Sequence, residues 1–259
     1  MIQMMMDSPS SITFYVIAHS DDWQLFMNPD ALNDISTIGK KVVFIVTTAG
    51  DAGKDPSFWR AREEGMKDSI KFCLSPFSPV VSEHRWKEIN GISFCVELFN
   101  NVSCYFLRLP DGGLNGDGFR SNDYQSLHKL RTGQVSGLIS LDQLITVRSW
   151  EHFTEIIASI ISQESNGASK IHIKYLNPKE ITNPRDHPDH RPTGEAILSG
   201  NYSGCCQSLF AGYGNSCHET LSPNDIFWKA AIFAAYERTV FKECGYSTVG
   251  EDPGLYQKW

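Results

Sequence analysis

Apolar positions along the chain repeat with two periods. Ile12–Ala18 (ITFYVIA) and Lys41–Thr48 (KVVFIVTT) are short, nearly continuous apolar runs rich in β-branched and aromatic residues. Such runs predict strands buried on both faces of a parallel sheet. Lys170–Leu176 (KIHIKYL) predicts a further strand with partial alternation. Ile92–Leu98 and Val102–Leu109, separated by Asn100-Asn101, predict two strands joined as a hairpin. Helical signals lie between and after these runs. Asp55-Pro56 reads as an N-cap followed by a first-turn proline, opening a helix over Ser57–Phe72. Ser149 caps a segment whose Trp150, Phe153, Ile156, Ile157, Ile160 and Ile161 form one stripe at 3.6-residue spacing. Ser222-Pro223 opens a long helix from Asn224 to about Glu243.

Strands alternating with helices predict a doubly wound α/β sheet. In such sheets ligands bind beyond the carboxyl ends of the strands. The chemically useful residues fall there. Ala18-His19-Ser20-Asp21-Asp22-Trp23 follows the first strand, and Thr47–Gly53 (TTAGDAG) follows the second. Asp186-His187-Pro188-Asp189-His190 comes soon after the 170–176 strand. A catalytic zinc site takes three protein ligands, often His and carboxylate, and keeps one position open. A further carboxylate can accept a proton from water, and a further histidine can serve the oxyanion or the leaving nitrogen. The 19–22 and 187–190 loops hold enough His and Asp for all of these roles. Residue chemistry alone does not say which residue takes which role. The bland alternatives are a polar turn capping a helix at 19–22 and a proline-rich surface turn at 187–190.

Composition narrows the class. With 259 residues, 41% of them hydrophobic, the chain can bury the core of one α/β domain. A net charge of -7 and the lack of any Lys/Arg-rich run argue against a nucleic-acid partner. The apolar runs are of strand length, so no membrane span is expected. The first eleven residues lack the features of a secretory signal, and the seven cysteines show no CxxC. Both point to free thiols in a reducing, cytoplasmic setting. There is no GxSxG, no P-loop and no GxGxxG, which removes serine hydrolases of that type, Walker NTPases and simple dinucleotide binders. Asp111–Gly118 (DGGLNGDG) fails the EF-hand pattern and reads as a loop over a pocket. The aromatic-rich segment 226–241 reads as core packing or, alternatively, as a homo-oligomer contact.

The loop His19-Ser20-Asp21-Asp22, the later His187-Pro188-Asp189-His190 and the Thr48-Ala49-Gly50-Asp51 segment resemble the motifs of the PIG-L/LmbE-like N-acetylglucosaminyl deacetylases. The resemblance implies a single domain with a Rossmann-like, mostly parallel sheet flanked by helices, its core about residues 12–240. It implies zinc ligands at His19, Asp22 and His190, although Fe²⁺ or another divalent metal fits such a set. Asp21 becomes the general base, His187 the general acid or oxyanion stabiliser, and Asp189 a residue that orients a histidine. Arg60, in an Arg-x-x-Glu segment, and Asp111, in Pro110-Asp111-Gly112, become substrate contacts. Lys229 with Tyr236 resembles the family's late Lys-containing helix. Ser20 stands in place of the usual proline, and Trp23 where many relatives carry an acid. The implied substrate is a small N-acetylated amino sugar. Other N-acyl substrates (a thiol conjugate or an aminoglycoside antibiotic) and a sugar-binding protein without turnover share the same motifs.

Overall fold

The structure is a computed structural model that describes residues 10–213 and 221–247. The chain runs β1 (Ser11–Ile17), α1 (Asp22–Phe26), α2 (Asp30–Ser36), β2 (Lys40–Thr48), α3 (Pro56–Leu74), β3 (Ser82–Ile89), β4 (Ile92–Phe99) and β5 (Val102–Leu109). It continues with α4 (Leu127–Arg131), β6 (Leu138–Ile139), β7 (Thr146–Val147), α5 (Trp150–Glu164), β8 (Lys170–Leu176), α6 (His190–Leu198), β9 (Cys206–Phe210) and α7 (Pro223–Cys244). Seven strands form one sheet in the order β3-β4-β5-β2-β1-β8-β9, and β6-β7 pair separately. The five strands from β5 to β9 are parallel, while β3 and β4 add an antiparallel edge. This is the mostly parallel α/β architecture that the pattern predicts.

The apolar runs read as strands because both faces of the sheet are covered. Phe14 and Val16 of β1 join one cluster with Val43, Ile45, Phe153, Ile157 and Ile160. The alternate residues Tyr15 and Ile17 join another with Phe44, Val46, Trp23, Met66 and Ile70. Burying a side chain of this size stabilises the fold by about 1.5–3 kcal/mol, so the register of the central strands is strongly specified. Trp23, which departs from the family motif, is a fully buried member of this second cluster. The predicted hairpin is present, with Glu97 opposite Cys104. α3 starts from Asp55, whose carboxylate accepts the Ser57 N–H at 2.9 Å, and α7 starts with a full capping box at Ser222 and Asp225.

One face of the 226–241 segment is core. Ile232, Phe233, Tyr236 and Val240 are buried, with Phe233, Tyr236 and Val240 packing against Leu25 and Ala61, while Phe227 and Phe241 are exposed. Among the described residues no helix is long and apolar enough to cross a membrane. Cys73, Cys95, Cys104, Cys205, Cys206 and Cys244 are free thiols. Cys217 and His218 lie outside the described residues.

Candidate metal centre and active-site cleft

Four adjacent parallel strands end at one place. β1 leads into Ala18–Asp21, β2 into Ala49–Asp51, β5 into Pro110–Gly112, and the segment after β8 returns as Asp186–His190. Asp21 and Asp189 occupy the N-cap positions of α1 and α6, yet neither side chain caps its helix. The reading of the 19–22 loop as a helix cap therefore does not hold. Asp22 instead turns back on the strand: its Oδ2 accepts the backbone N–H groups of Ala18 and His19, each at 2.9 Å. That fixes Oδ1, which lies 3.4 Å from His19 Nδ1 and 3.1 Å from His190 Nε2. One carboxylate oxygen thus sits between imidazoles from two separate loops.

Around these three lie further groups. His190 Nδ1 is 2.9 Å from Asp186 Oδ1, so Asp186 orients that ring. His19 Nε2 is 3.4 Å from Asp189 Oδ2, which also accepts the Gly112 N–H at 3.0 Å. The Asp189 backbone N–H donates to His187 Nδ1 at 3.2 Å, which leaves Nε2 to carry the proton of a neutral His187. Asp111 Oδ1 accepts the Gly113 N–H at 2.6 Å and Oδ2 the Ala52 N–H at 3.1 Å. Asp51, at the end of β2, holds that loop by accepting the Asp111 N–H at 3.1 Å.

The charges of the site support one another. Burial opposes a charged His19, but the carboxylates of Asp22, Asp189 and Asp111 together outweigh it and hold its pKa well above the usual range. His190 behaves alike: burial opposes its charge, Asp22 and Asp186 favour it, and its pKa rises to about 9. Burial pushes Asp22 up, yet His190 and His19 hold it well below the ordinary carboxylate range. His187 goes the other way, lowered to about 4 first by burial and then by the charge on His19. Among the described residues, three overlapping groups of potential ligands have atoms within 4.8 Å of one another: His19-His187-His190, His19-Asp111-His187-Asp189, and His19-Asp21-Asp22. All three share His19. Asp189 Oδ1 is buried without a hydrogen-bond partner. Ionised buried carboxylates facing histidines that hold protons on their account are a donor set that a divalent cation fits.

The cleft beside this cluster has a volume of about 370 Å³, and His19, Asp21, Asp111 and His187 line it with Arg62 and Arg185. Leu25, Phe58 and Phe233 supply an apolar wall. The residues expected at the site converge, with one exception. Arg60 is exposed, with its guanidinium 5.0 Å from the Trp59 ring centroid, and it is absent from the cleft lining. The arginine that reaches the site is Arg62, whose Nη2 donates to Asp21 Oδ1 at 2.5 Å. Helix geometry gives the reason. Arg62 lies one turn after Phe58 and one turn before Met66 on the buried face of α3, whereas Arg60 points away. The sequence did carry this signal, as a charged residue on an apolar stripe. Asp186 was also missed as a functional residue; its signal was an acid four residues before a histidine at a helix start. Of the late helix, Tyr236 accepts a hydrogen bond from Arg62 Nε at 2.9 Å. Lys229 is buried, and burial lowers its pKa to about 8.

The PIG-L family model, described as GlcNAc-PI de-N-acetylase, matches residues 14–200. None of the curated proteins matches the chain. Among solved structures, the N,N'-diacetylchitobiose deacetylase from Pyrococcus horikoshii in complex with its inhibitor MPG is similar at 14% identity, with a TM-score of 0.47, over 99% of this chain and 78% of that one. That likeness is too loose to carry an inference.

Proposed function

The chain belongs to the PIG-L family of de-N-acetylases, and from that premise we propose that it is a metal-dependent N-deacetylase, with zinc as the expected ion. Its substrate is the acetamide of an N-acetylglucosamine-type amino sugar or a conjugate of one. The observation that carries this reading is the Asp22 carboxylate, held by two backbone N–H groups and facing His19 and His190 from separate loops. His19, Asp22 and His190 are the residues that would hold the ion. When bound, such an ion acidifies a water and polarises the amide carbonyl.

The chain's own residues supply the rest. Asp21 faces the cleft beside the ligand set, and its Oδ1 is engaged by Arg62. Its other oxygen takes the proton from the attacking water. His187 is neutral at neutral pH, because burial and the neighbouring His19 lower its pKa to about 4. A neutral ring with its proton on Nε2 donates a hydrogen bond and does not transfer a proton at that pH. His187 therefore serves the developing oxyanion, and Asp21, once protonated, returns its proton to the departing nitrogen. The balance is water plus amide giving acetate and the protonated amine. Asp111, fixed by two backbone N–H groups, offers the acceptor edge that a sugar hydroxyl needs.

The wall of Leu25, Phe58 and Phe233 favours a second reading, in which the substrate carries a longer acyl chain or an apolar aglycone. A panel of N-acyl amino sugars, read by release of free amine with the zinc-loaded protein, separates the readings. Acetate from N-acetyl sugars supports the first, and preference for longer acyl groups the second. Binding of sugar without any amine release would contradict both.

A further inference from the structure

Arg62 is 9% exposed and every arm of its guanidinium is engaged. Nη2 donates to Asp21 Oδ1 at 2.5 Å, Nη1 to the Gly50 carbonyl at 2.6 Å and Nε to the Tyr236 hydroxyl at 2.9 Å. The three partners come from the loop after β1, the loop after β2, and α7. The backbone makes room for this. Gly50 has φ +59, and a Cβ there would lie 2.3 Å from Arg62 Nη1. Gly65 is three residues beyond Arg62 on α3, and a Cβ there would lie 2.8 Å from the Tyr236 ring. Gly65 thus lets α7 come close enough for its hydroxyl to meet the guanidinium.

Stability alone gives no reason for this arrangement. On the side of α7 the surroundings are apolar: Leu25, Ala61, Phe233 and Val240 cluster with Tyr236. A buried ion pair in such a place is often no better than well-packed hydrophobic residues. What the guanidinium does supply is direction. Its planar fork fixes the carboxylate it touches and saturates one oxygen, and Asp21 Oδ2 has no hydrogen bond among the described residues.

We propose that Arg62 is a positioning residue for Asp21, held in place by Tyr236, so that α7 is a working part of the active site although it lies beyond the segment matched by the family model. The inference rests on the reading of Asp21 as the base. It separates two arginines that stand two residues apart and makes a C-terminal tyrosine part of the catalytic apparatus.

The test compares the zinc-loaded full-length protein with Arg62→Ala, Arg62→Lys and Tyr236→Phe, and with Phe241→Ala as a control on the exposed side of α7. Each is assayed for kcat and KM by acetate release, for zinc content and for thermal melting. Arg62→Ala is expected to lose about 10- to 100-fold in kcat, with zinc retained and KM changed by less than about three-fold. Added guanidinium ion should restore part of that loss. Arg62→Lys keeps the charge without the fork and should fall between the two. Tyr236→Phe should cost about five-fold in kcat, the effect of one hydrogen bond, and Phe241→Ala should cost nothing. If Arg62→Ala turns over at the wild-type rate, the inference is overturned and the deacetylase reading stands. If its loss of kcat tracks loss of the melting transition and guanidinium does not rescue it, the role is structural and the inference is again overturned. A zinc-loaded wild type inactive on every N-acyl sugar sinks the deacetylase reading itself, and the inference with it.

Discussion

Two clusters of buried charge sit at opposite ends of β2. At its start, Glu164 is met by Lys41 and the Tyr105 hydroxyl, and by Lys87 at 2.5 Å. One carboxylate is surrounded by two ammonium groups and one hydroxyl, and both oxygens are used. Beyond the other end of β2, Asp21, Asp22, Asp111, Asp186 and Asp189 gather around three histidines and the guanidinium of Arg62. There the carboxylates outnumber the permanent cations, and Asp189 Oδ1 has no partner. The first cluster has a surplus of positive charge and leaves neither carboxylate oxygen unpaired, as a structural ion-pair network should. The second is short of positive charge, and raised pKa values at His19 and His190 are how the bare protein meets the shortage. A divalent cation meets it better, because it needs those ligands deprotonated and releases their protons on binding. Buried charge by itself therefore does not mark a functional site, whereas a shortage of positive charge among buried carboxylates at the carboxyl ends of strands does.

Substitutions at the two ends should behave differently. The largest effect is expected at Asp21→Ala, which should retain zinc by elemental analysis and lose about 10²- to 10⁴-fold in turnover. Loss of zinc in that variant would move Asp21 into the ligand set. Next comes Asp186→Ala, which frees the ring of His190. Zinc affinity measured by competition with a chelator should weaken by about 10- to 100-fold, and an unchanged affinity would remove Asp186 from the site.

At the Glu164 end, Glu164→Gln should leave turnover alone and reduce stability by about 1–3 kcal/mol in urea unfolding. Its pH dependence has a definite sign. Burial pushes the Glu164 carboxyl up, but hydrogen bonds from Lys41, Lys87 and Tyr105 outweigh burial and hold it below its usual value. A carboxylate lowered on folding adds stability above its unfolded pKa and loses it as pH falls through the folded value. The wild type should therefore lose stability below about pH 4 more steeply than Glu164→Gln; parallel acid limbs would show that the cluster does not stabilise the fold. The smallest effect is expected at Arg60→Ala, whose exposed side chain reaches neither cluster. Its kcat/KM should stay within about two-fold of the wild type, and a large rise in KM would restore Arg60 as a substrate contact.

Much of this molecule was legible in the sequence, and what was missed follows from how periodicity works. The central strands announced themselves because both faces of the sheet are covered. β3 did not: its residues Ser82–Glu88 are largely exposed and charged, and only pairing with β4 along the sheet edge makes them a strand. β9 is a short, largely exposed strand that, among the described residues, pairs only with β8. The His and Asp loops were visible because chemistry clusters after strands, but the division of labour within them was not. Only coordinates show Asp22 folding back on the Ala18 and His19 amides, or Asp186 in contact with His190. Arg62 and Glu164 teach the same lesson from helices. Each is a charged residue on an otherwise apolar stripe, at position 62 between Phe58 and Met66 and at position 164 after Ile160 and Ile161. Such a residue must have a buried partner, although sequence alone does not name it.

The central claim is that His19, Asp22 and His190 hold a divalent ion that this chain uses to hydrolyse an N-acyl amide. The most direct measurement is metal content by elemental analysis, together with acetate release from N-acetylated amino sugars, on the wild type and His190→Ala. The account predicts about one zinc per wild-type chain with activity that a chelator abolishes and added zinc restores, and neither zinc nor activity in the variant. Stoichiometric zinc in His190→Ala, or acetate release that survives removal of the metal, would contradict it.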